Sequence, residues 1–286
     1  MIEYQKQIYE NFKAFMPETN FPTYPPYHRG KYLEEFFCHE FRNNVPQSKR
    51  IFIPVHWTNC YKLFNDKPVP GLQDAIDDLD SSYNYFIVAT HDDAPRENLP
   101  EGTVCYVAGG NQRGVPIPLV CSTIKNPIIR KRDIFASFVG AVTHPIRLQI
   151  AQALRSNDKY QFTLKEWHPH ISQSEEMNFK ETMERSEFSL CPRGYGTTSY
   201  RLYEAMQLGS IPVYISDRFW LPWEDEINWN EFCIRIPQSR ICEMDFILSS
   251  IPEKHKEHMR KKMKKVYNEF FTIPKITRKI LKEVKK

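Results

Sequence analysis

The feature that most limits what this 286-residue chain can fold into is the run from Glu187 to Trp229, EFSLCPRGYGTTSYRLYEAMQLGSIPVYISDRFWLPWEDEINW. An apolar stretch (Phe188, Leu190, Cys191) stops at Pro192, and a loop follows with Arg193, Gly194 and Gly196. A helix is then expected from Thr198 or Ser199 to Gly209, and a second apolar strand from Ile211 to Ile215. Strand, glycine loop, helix and strand in this order make an α/β unit with a parallel sheet. Its strand-to-helix turn presents backbone N–H groups and the positive end of a helix to an anion. Arg193 and Arg201 add charge-assisted donors suited to phosphate oxygens. Glu204 lies one helical turn beyond Arg201, where a carboxylate can accept sugar hydroxyls. Taken alone, the same two residues could be an ion pair on a solvated helix face. With Pro-Arg-Gly and the Thr197, Thr198 and Ser199 hydroxyls beside them, they form the pattern expected of a nucleotide-sugar site.

A second strand–turn–helix precedes this one. Ile134 to Val139 reads as a strand, Gly140 opens a polar turn, and Ile146 to Leu154 has a helical pattern carrying Arg147, which would face the same phosphates. In the first half, Ile51 to Val55 reads as a strand ending at His56, Gln73 to Leu79 as a short helix, Tyr85 to Ala89 as a buried strand running into His91-Asp92-Asp93, and Thr103 to Ala108 as another strand. Prolines 17, 22, 25 and 26 leave residues 1–30 irregular or partly helical. A proline-rich stretch from Val115 to Pro127 marks a boundary, although Leu119 to Cys121 could be a strand. The expected parts are 1–125, 126–250 and a basic helical segment 251–286.

The ordered blocks Pro192-Arg193-Gly194, Ser199-Tyr200-Arg201-Leu202-Tyr203-Glu204-Ala205, Ile211-Pro212-Val213-Tyr214-Ile215-Ser216, Leu221-Pro222-Trp223 and Ile227-Asn228-Trp229 resemble those of the exostosin-like (GT47-type) glycosyltransferases. The resemblance implies an α/β GT-B fold, two Rossmann-like domains facing a central cleft, here followed by a C-terminal amphipathic helix. It also implies inverting transfer from a nucleotide sugar, usually a UDP-sugar, to a glycan or glycoprotein acceptor. Arg147, Arg193 and Arg201 would then bind the diphosphate, with Gly194, Thr197, Thr198 and Ser199 around it and Glu204 on the ribose. No catalytic metal is expected. Among exostosin-like proteins the compact forms of large algal DNA viruses are similar in lacking an anchor.

Inverting transfer needs a base for the acceptor hydroxyl. His91 and Asp92 match a His-Asp element of the family, while Asp93 stands where the family often has tryptophan, so the base stays open between the two aspartates. His56 is a further acceptor-side candidate, or else a hydrogen-bonded structural histidine. Asp217 follows the Ile211 strand at an active edge, or caps the next helix. Trp220, Trp223 and Trp229 read as core, with sugar stacking as the alternative. The rival enzyme reading is a metal-dependent GT-A transferase using Asp78 and Asp80. A glycan-binding module without catalysis is the rival of another class. Trp167-His168-Pro169-His170 lacks the further ligands of a zinc site.

Composition bounds the setting. Hydrophobic residues make up 41% of the chain and aromatics 14%, and no stretch approaches the ~18–20 apolar residues of a membrane span. The polar amino terminus has no signal core. Seven cysteines without Cys-x-x-Cys spacing read as reduced, buried thiols and point to cytoplasm, host cytoplasm if viral. UDP-xylose is a plausible donor in that setting. Net charge is +4, but residues 254–286 hold thirteen Lys and Arg against three acids, which leaves the rest at −6. Met259, Met263, Val266, Tyr267 and Phe270 recur there at helical spacing, the signature of a packed helix with a solvated basic face. Nucleic acid is not an expected partner; weak contact with a membrane surface is the alternative use of that face.

Overall fold

The computed structural model describes residues 1–18, 32–43, 48–111, 114–120, 123–124, 127–128, 130–168 and 171–285. Its contacts divide the chain into two compact units. One holds the described residues up to Leu119 together with those from Ile273 onward, and the other spans Val120–Thr272.

The first unit contains α1 (Ile2–Asn11), α2 (Leu33–Asn43), β1 (Ile51–Phe52), α3 (Trp57–Leu63), α4 (Leu72–Asp77), β2 (Tyr85–Ala89), β3 (Val104–Val107) and β4 (Val115–Pro116). The strands lie in the order β1-β2-β3-β4, all parallel, with Ile51 opposite Tyr85 and Val88 opposite Tyr106. All five β2 residues are apolar and buried, as a strand covered on both faces requires. On α2, Leu33, Phe37 and Phe41 recur every fourth residue, so one helix face is apolar. Phe37 and Phe41 meet Phe52 of β1 and Phe86 of β2 with ring centroids 5.1 to 6.0 Å apart. Burying each such ring stabilises the unit by roughly 1.5–3 kcal/mol. Gln5 of α1 covers β1's outer side, exchanging two hydrogen bonds with the Phe52 backbone at 2.7 and 2.9 Å.

The second unit runs β5 (Ile134–Ala141), α5 (Pro145–Leu154), β6 (Tyr160–Lys165), α6 (Gln173–Arg185), β7 (Ser186–Pro192), α7 (Arg201–Leu208), β8 (Ile211–Ser216), β9 (Ile234–Pro237), α8 (Met244–Ser249) and α9 (Glu253–Phe270). Its sheet is parallel throughout, in the order β6-β5-β7-β8-β9. Ser172 and Glu175 form a reciprocal cap on α6. At the amino edge Arg132 gathers the carbonyls of Glu184, Ser186 and Leu208 at 3.1, 2.5 and 3.3 Å, so one guanidinium caps the C-termini of both α6 and α7.

The strands and helices expected near Ile51, Gln73, Tyr85, Thr103, Ile134, Ile146, Phe188 and Ile211 are present, with ends shifted by a few residues. The strand at Ile51 is shorter than expected, because α3 opens directly after His56. The helix expected from Thr198 starts only at Arg201. Leu119 and Val120 are not in a strand, and Cys121 lies outside the described residues, as do Pro22, Pro25 and Pro26.

The contact division falls after Leu119, six residues before the expected 125/126 boundary, and the basic segment 251–286 is shared between the units. In α9, Met259, Met263, Val266 and Tyr267 are buried in the second unit, and Lys254, Lys261, Lys264 and Lys265 face out. Pro274 sits in the first turn of a new helix, α10 (Ile273–Glu283), where a missing N–H costs nothing. That helix returns to the first unit and buries Ile273, Ile276 and Ile280, and Ser48 donates to the Val284 carbonyl at 2.9 Å. Among the described residues no helix is long and apolar enough to cross a membrane. The six described cysteines are unbonded thiols; four are buried, Cys105 is partly buried and Cys242 is exposed, so the expected burial does not extend to those two.

Candidate active site

The strand order of the second unit fixes where a ligand belongs. The chain leaves β5 toward β6 on one side and leaves β7 toward β8 on the other, so the connections diverge between β5 and β7. In an open parallel sheet such a switch point opens a crevice at the carboxyl ends of the strands. Two loops meet there, 142–144 before α5 and 193–200 before α7.

Arg147 spans the two strand ends. Its guanidinium donates to the carbonyls of Ala141, Arg193 and Pro192 at 2.6, 3.0 and 3.4 Å. Burial, reinforced by the nearby Arg201 charge, brings its pKa down to about 9. Gly194 lies against it; a Cβ there would stand 3.2 Å from Nη2. Arg193 curls over its own loop, donating to the Tyr195 carbonyl at 3.0 Å and pairing with Asp217 at 2.6 Å. Burial works against ionisation of Asp217, but the Arg193 charge outweighs it and holds that carboxyl below its ordinary range. Asp217 therefore braces Arg193. From β8, Tyr214 and Ser216 donate to the Thr197 carbonyl at 2.7 and 3.3 Å and support the loop from below. The Ser199 hydroxyl accepts from the Arg201 N–H at 3.4 Å, at the start of α7.

Arg201 and Glu204 are 8% and 9% exposed, so neither sits on a solvated face. The Arg201 guanidinium lies 4.2 Å over the Phe138 ring and 5.3 Å over that of Phe179, and donates to the Val139 carbonyl. Gly140 makes this possible: a Cβ there would come within 2.9 Å of Arg201 Nη2 and 3.0 Å of Phe138. Burial lowers the pKa of Arg201. Two enclosed polar atoms beside the loop, Arg201 Nε and Thr198 Oγ1, have no hydrogen-bond partner. Buried groups of this kind are rare in folded proteins and each costs about 1–3 kcal/mol.

In the first unit, residues 91–93 follow β2 at the carboxyl edge, as expected. His91 Nδ1 accepts from the Asp93 N–H at 3.2 Å, and Nε2 faces Asp66 at 3.3 Å. Burial, then the Lys62 charge, pushes its pKa down to about 4 against the pull of Asp66, so the ring is neutral near pH 7. Asp93 is held by Asn111 at 2.9 Å and Arg96 at 3.3 Å. Asp92 packs on Gly109, where a Cβ would fall 2.2 Å from the Asp92 Cα. His56 Nδ1 bonds the Pro17 carbonyl at 2.8 Å, the contact of a structural histidine anchoring the amino-terminal segment.

Sequence reasoning missed Glu34 and His144. Glu34 is 1% exposed and accepts from the backbone N–H groups of Thr58 at 2.5 Å and Thr90 at 2.9 Å, tying the start of α3 to the end of β2. Burial raises its pKa to about 7 despite those bonds. Nothing in the local sequence Leu33-Glu34-Glu35 marks that depth. His144 caps α5 by accepting from the Ile146 N–H at 3.3 Å; the Thr-His-Pro sequence is the only local sign of it.

The other candidates lie apart from these edges. Asp78 and Asp80 precede β2, at its amino end; Asp80 Oδ1 accepts from the Ser82 N–H at 2.8 Å in a local turn. No group of carboxylates, histidines and cysteines suited to a metal occurs among the described residues. His168 lies 3.6 Å from Glu175, and His170 is outside the described residues. Trp229 and Trp223 are buried and stack on Phe271, as core aromatics do, and Trp220 lies beside Arg218.

Topology and guanidinium cluster together define a parallel α/β protein whose second unit concentrates positive charge at a switch point. Residues 107–251, half of the chain, match the Exostosin GT47 domain model, and the chain belongs to this family of glycosyltransferases. With the family established, the two parallel-sheet units correspond to the two Rossmann-like domains of a GT-B fold. Among curated proteins the chain is 36% identical over 90 residues to a probable glycosyltransferase of Arabidopsis thaliana (32% of this chain, 19% of the relative). It is 40% identical over 82 residues to a probable glucuronosyltransferase of Oryza sativa subsp. japonica (29% and 20%). It is 42% identical over 82 residues to a probable beta-1,4-xylosyltransferase of Arabidopsis thaliana (29% and 20%). The chain thus matches about a fifth of the length of these relatives. Solved structures with some likeness include TarM (TM-score 0.43, 10% identity, 71% of this chain and 55% of that one). The pneumococcal O-GlcNAc transferase GtfA in complex with UDP and GlcNAc is another (TM-score 0.38, 15% identity, 70% and 44%). At these scores the likeness adds nothing to the topology.

Proposed function

We propose that this chain is an inverting glycosyltransferase that moves a sugar, with xylose as one candidate, from a UDP-sugar to a hydroxyl of a glycan or glycoprotein acceptor. The observation that supports this most is the meeting, at the β5/β7 switch point, of Arg147, Arg193 and Arg201 with two buried polar atoms that have no partner. A diphosphate carries the charge and the acceptor oxygens such a site lacks. In this reading Arg147 and Arg193 face the diphosphate. Arg201, deeper, supplies fixed positive charge behind it, and the 194–199 loop wraps it with backbone N–H groups and the hydroxyls of Thr197, Thr198 and Ser199. Glu204 accepts from the ribose.

Chemically, the bond from the anomeric carbon to the β-phosphate oxygen breaks with its electron pair going to the diphosphate. The acceptor oxygen adds from the opposite face, and a base takes its proton. Preorganised guanidiniums stabilise the charge that develops on the leaving group, so the reading requires no divalent metal. Asp92 is taken as the base because His91-Asp92 matches the His-Asp element of the family, whereas Asp93 stands where the family often has tryptophan. His91, neutral, accepts from the Asp93 N–H through Nδ1 and faces Asp66 through Nε2, and so orients the turn.

The test is turnover of a panel of UDP-sugars with and without EDTA, with the product anomer read by NMR. Activity that survives EDTA and gives an inverted anomer supports the reading. Activity only with manganese, or a retained anomer, overturns it.

A further inference from the structure

His144 stands at the switch point, directly after β5 and at the first turn of the ten-residue helix α5. Because its Nδ1 accepts the Ile146 N–H, that nitrogen carries a lone pair, and the single proton of the neutral ring is fixed on Nε2. Among the described residues the half-buried ring has no other hydrogen bond, so the Nε2–H is a donor without a partner there. Its charged neighbours are Arg193, Arg147 and Asp217. Burial and the two guanidiniums keep the ring neutral, and Asp217 opposes them. The opposing loop is close at hand: a Cβ on Gly194 would stand 3.5 Å from Thr143 Oγ1, one residue before the histidine. A neutral donor with a locked tautomer therefore lies on the β5 side of the crevice, with Arg147 on the same helix reaching from the β5 end to the β7 end and Arg193 on the opposing loop.

Resting on the donor-site reading above, we propose that His144 contacts the nucleotide directly, donating its Nε2–H to a phosphate oxygen of the diphosphate. No proton is transferred. The hydrogen bond strengthens as negative charge collects on the departing diphosphate, while the helix cap holds the ring in place. One side chain thus serves two partners, with Nδ1 turned to the helix and Nε2 to the ligand.

His144→Ser separates the two roles, since a serine oxygen still caps the helix but cannot reach the ligand. The experiment titrates wild type and His144→Ser with UDP by calorimetry and with uridine by saturation-transfer NMR, and follows the melting of both. The expected result is a UDP Kd about tenfold weaker in the variant, the worth of one hydrogen bond to a charged group, with uridine binding and Tm unchanged. Equal UDP affinity in the two proteins overturns the inference and reduces His144 to a helix cap. Parallel losses of UDP affinity, uridine affinity and Tm overturn it as well, by showing a structural role. If wild type itself binds no UDP, the donor-site reading fails and this inference fails with it.

Discussion

The two sheets end in opposite ways at their carboxyl edges. In the second unit the strand order reverses between β5 and β7, and that edge gathers three arginines, only part of whose donors find protein acceptors. In the first unit β1 to β4 follow one direction without reversal among the described strands. There the ionisable groups Glu34, His91 and Asp93 find protein partners, Glu34 in two backbone N–H groups, His91 in Asp66, and Asp93 in Arg96 and Asn111, while the buried Trp57 Nε1 has none among the described residues. One edge gathers buried positive charge that the protein pairs only in part, and the other holds its own turn rigid. The same local grammar of strand, turn and helix therefore gives two kinds of surface. What separates them is whether the buried charge is balanced from within.

The largest expected effects break that comparison at its backbone. Gly109→Ala would force a methyl group to 2.2 Å from the Asp92 Cα, with no flexible side chain to yield. The first unit should lose several kcal/mol, as severe overpacking does, read as a fall in Tm of more than 10 °C. Gly140→Ala meets side-chain tips at 2.9 Å or more, so the second unit should keep its fold while Arg201 is displaced and UDP binding weakens. Equal melting of the two variants would remove the distinction between a rigid edge and a yielding one.

Next come the aspartates. Asp92→Asn should lower kcat by about 10²–10⁴-fold, the span of general-base catalysis, with UDP affinity unchanged. Asp93→Asn should act mainly through the Arg96 contact and cost less. The reverse order in steady-state kinetics would move the base to Asp93.

Glu34→Gln turns an amide NH2 toward one of the two backbone donors and should destabilise the protein by about 1–3 kcal/mol. The pH dependence has a definite sign. With a folded pKa of about 7 against an ordinary 4.5, the folded state holds a proton that the unfolded state has released between those values. The stability Glu34 contributes is therefore full below about pH 4.5 and lost as pH rises through about 7. His91, lowered to about 4, has the opposite slope below its ordinary 6.5, so the difference between wild type and Glu34→Gln isolates the carboxyl. A difference in stability that does not shrink as pH rises through that window would contradict the assignment.

An effect of similar size sharpens the donor side. Glu204→Ala should weaken UDP binding by about 1–3 kcal/mol, as ribose hydroxyls lose a charged acceptor. Unaltered calorimetric affinity would free Glu204 from that role.

Much of the second unit was legible in the sequence, because its strands and loops lie in register with short-range patterns: Phe188 to Cys191, Pro-Arg-Gly, then helix and strand. Depth was not. Arg201 reads as a ligand-facing cation, yet its guanidinium is sandwiched by Phe138 and Phe179, which lie 63 and 22 residues earlier in the chain. Glu34 carries no local sign of its burial because the donors it meets, Thr58 and Thr90, come 24 and 56 residues later. The basic terminus shows its helical period but not its division, which depends on Phe271 and Ile273 each being buried in a different unit. His144 stayed hidden because a single histidine before a proline has no periodic signal at all.

Hydrogen exchange of the protein with and without UDP tests the central claim most directly, since it reports which edge the ligand orders. The account predicts that UDP slows exchange in the 142–147 and 193–202 segments of the second unit and leaves 90–97 of the first little changed. Protection confined to 90–97, or none at either edge at saturating UDP, would contradict it.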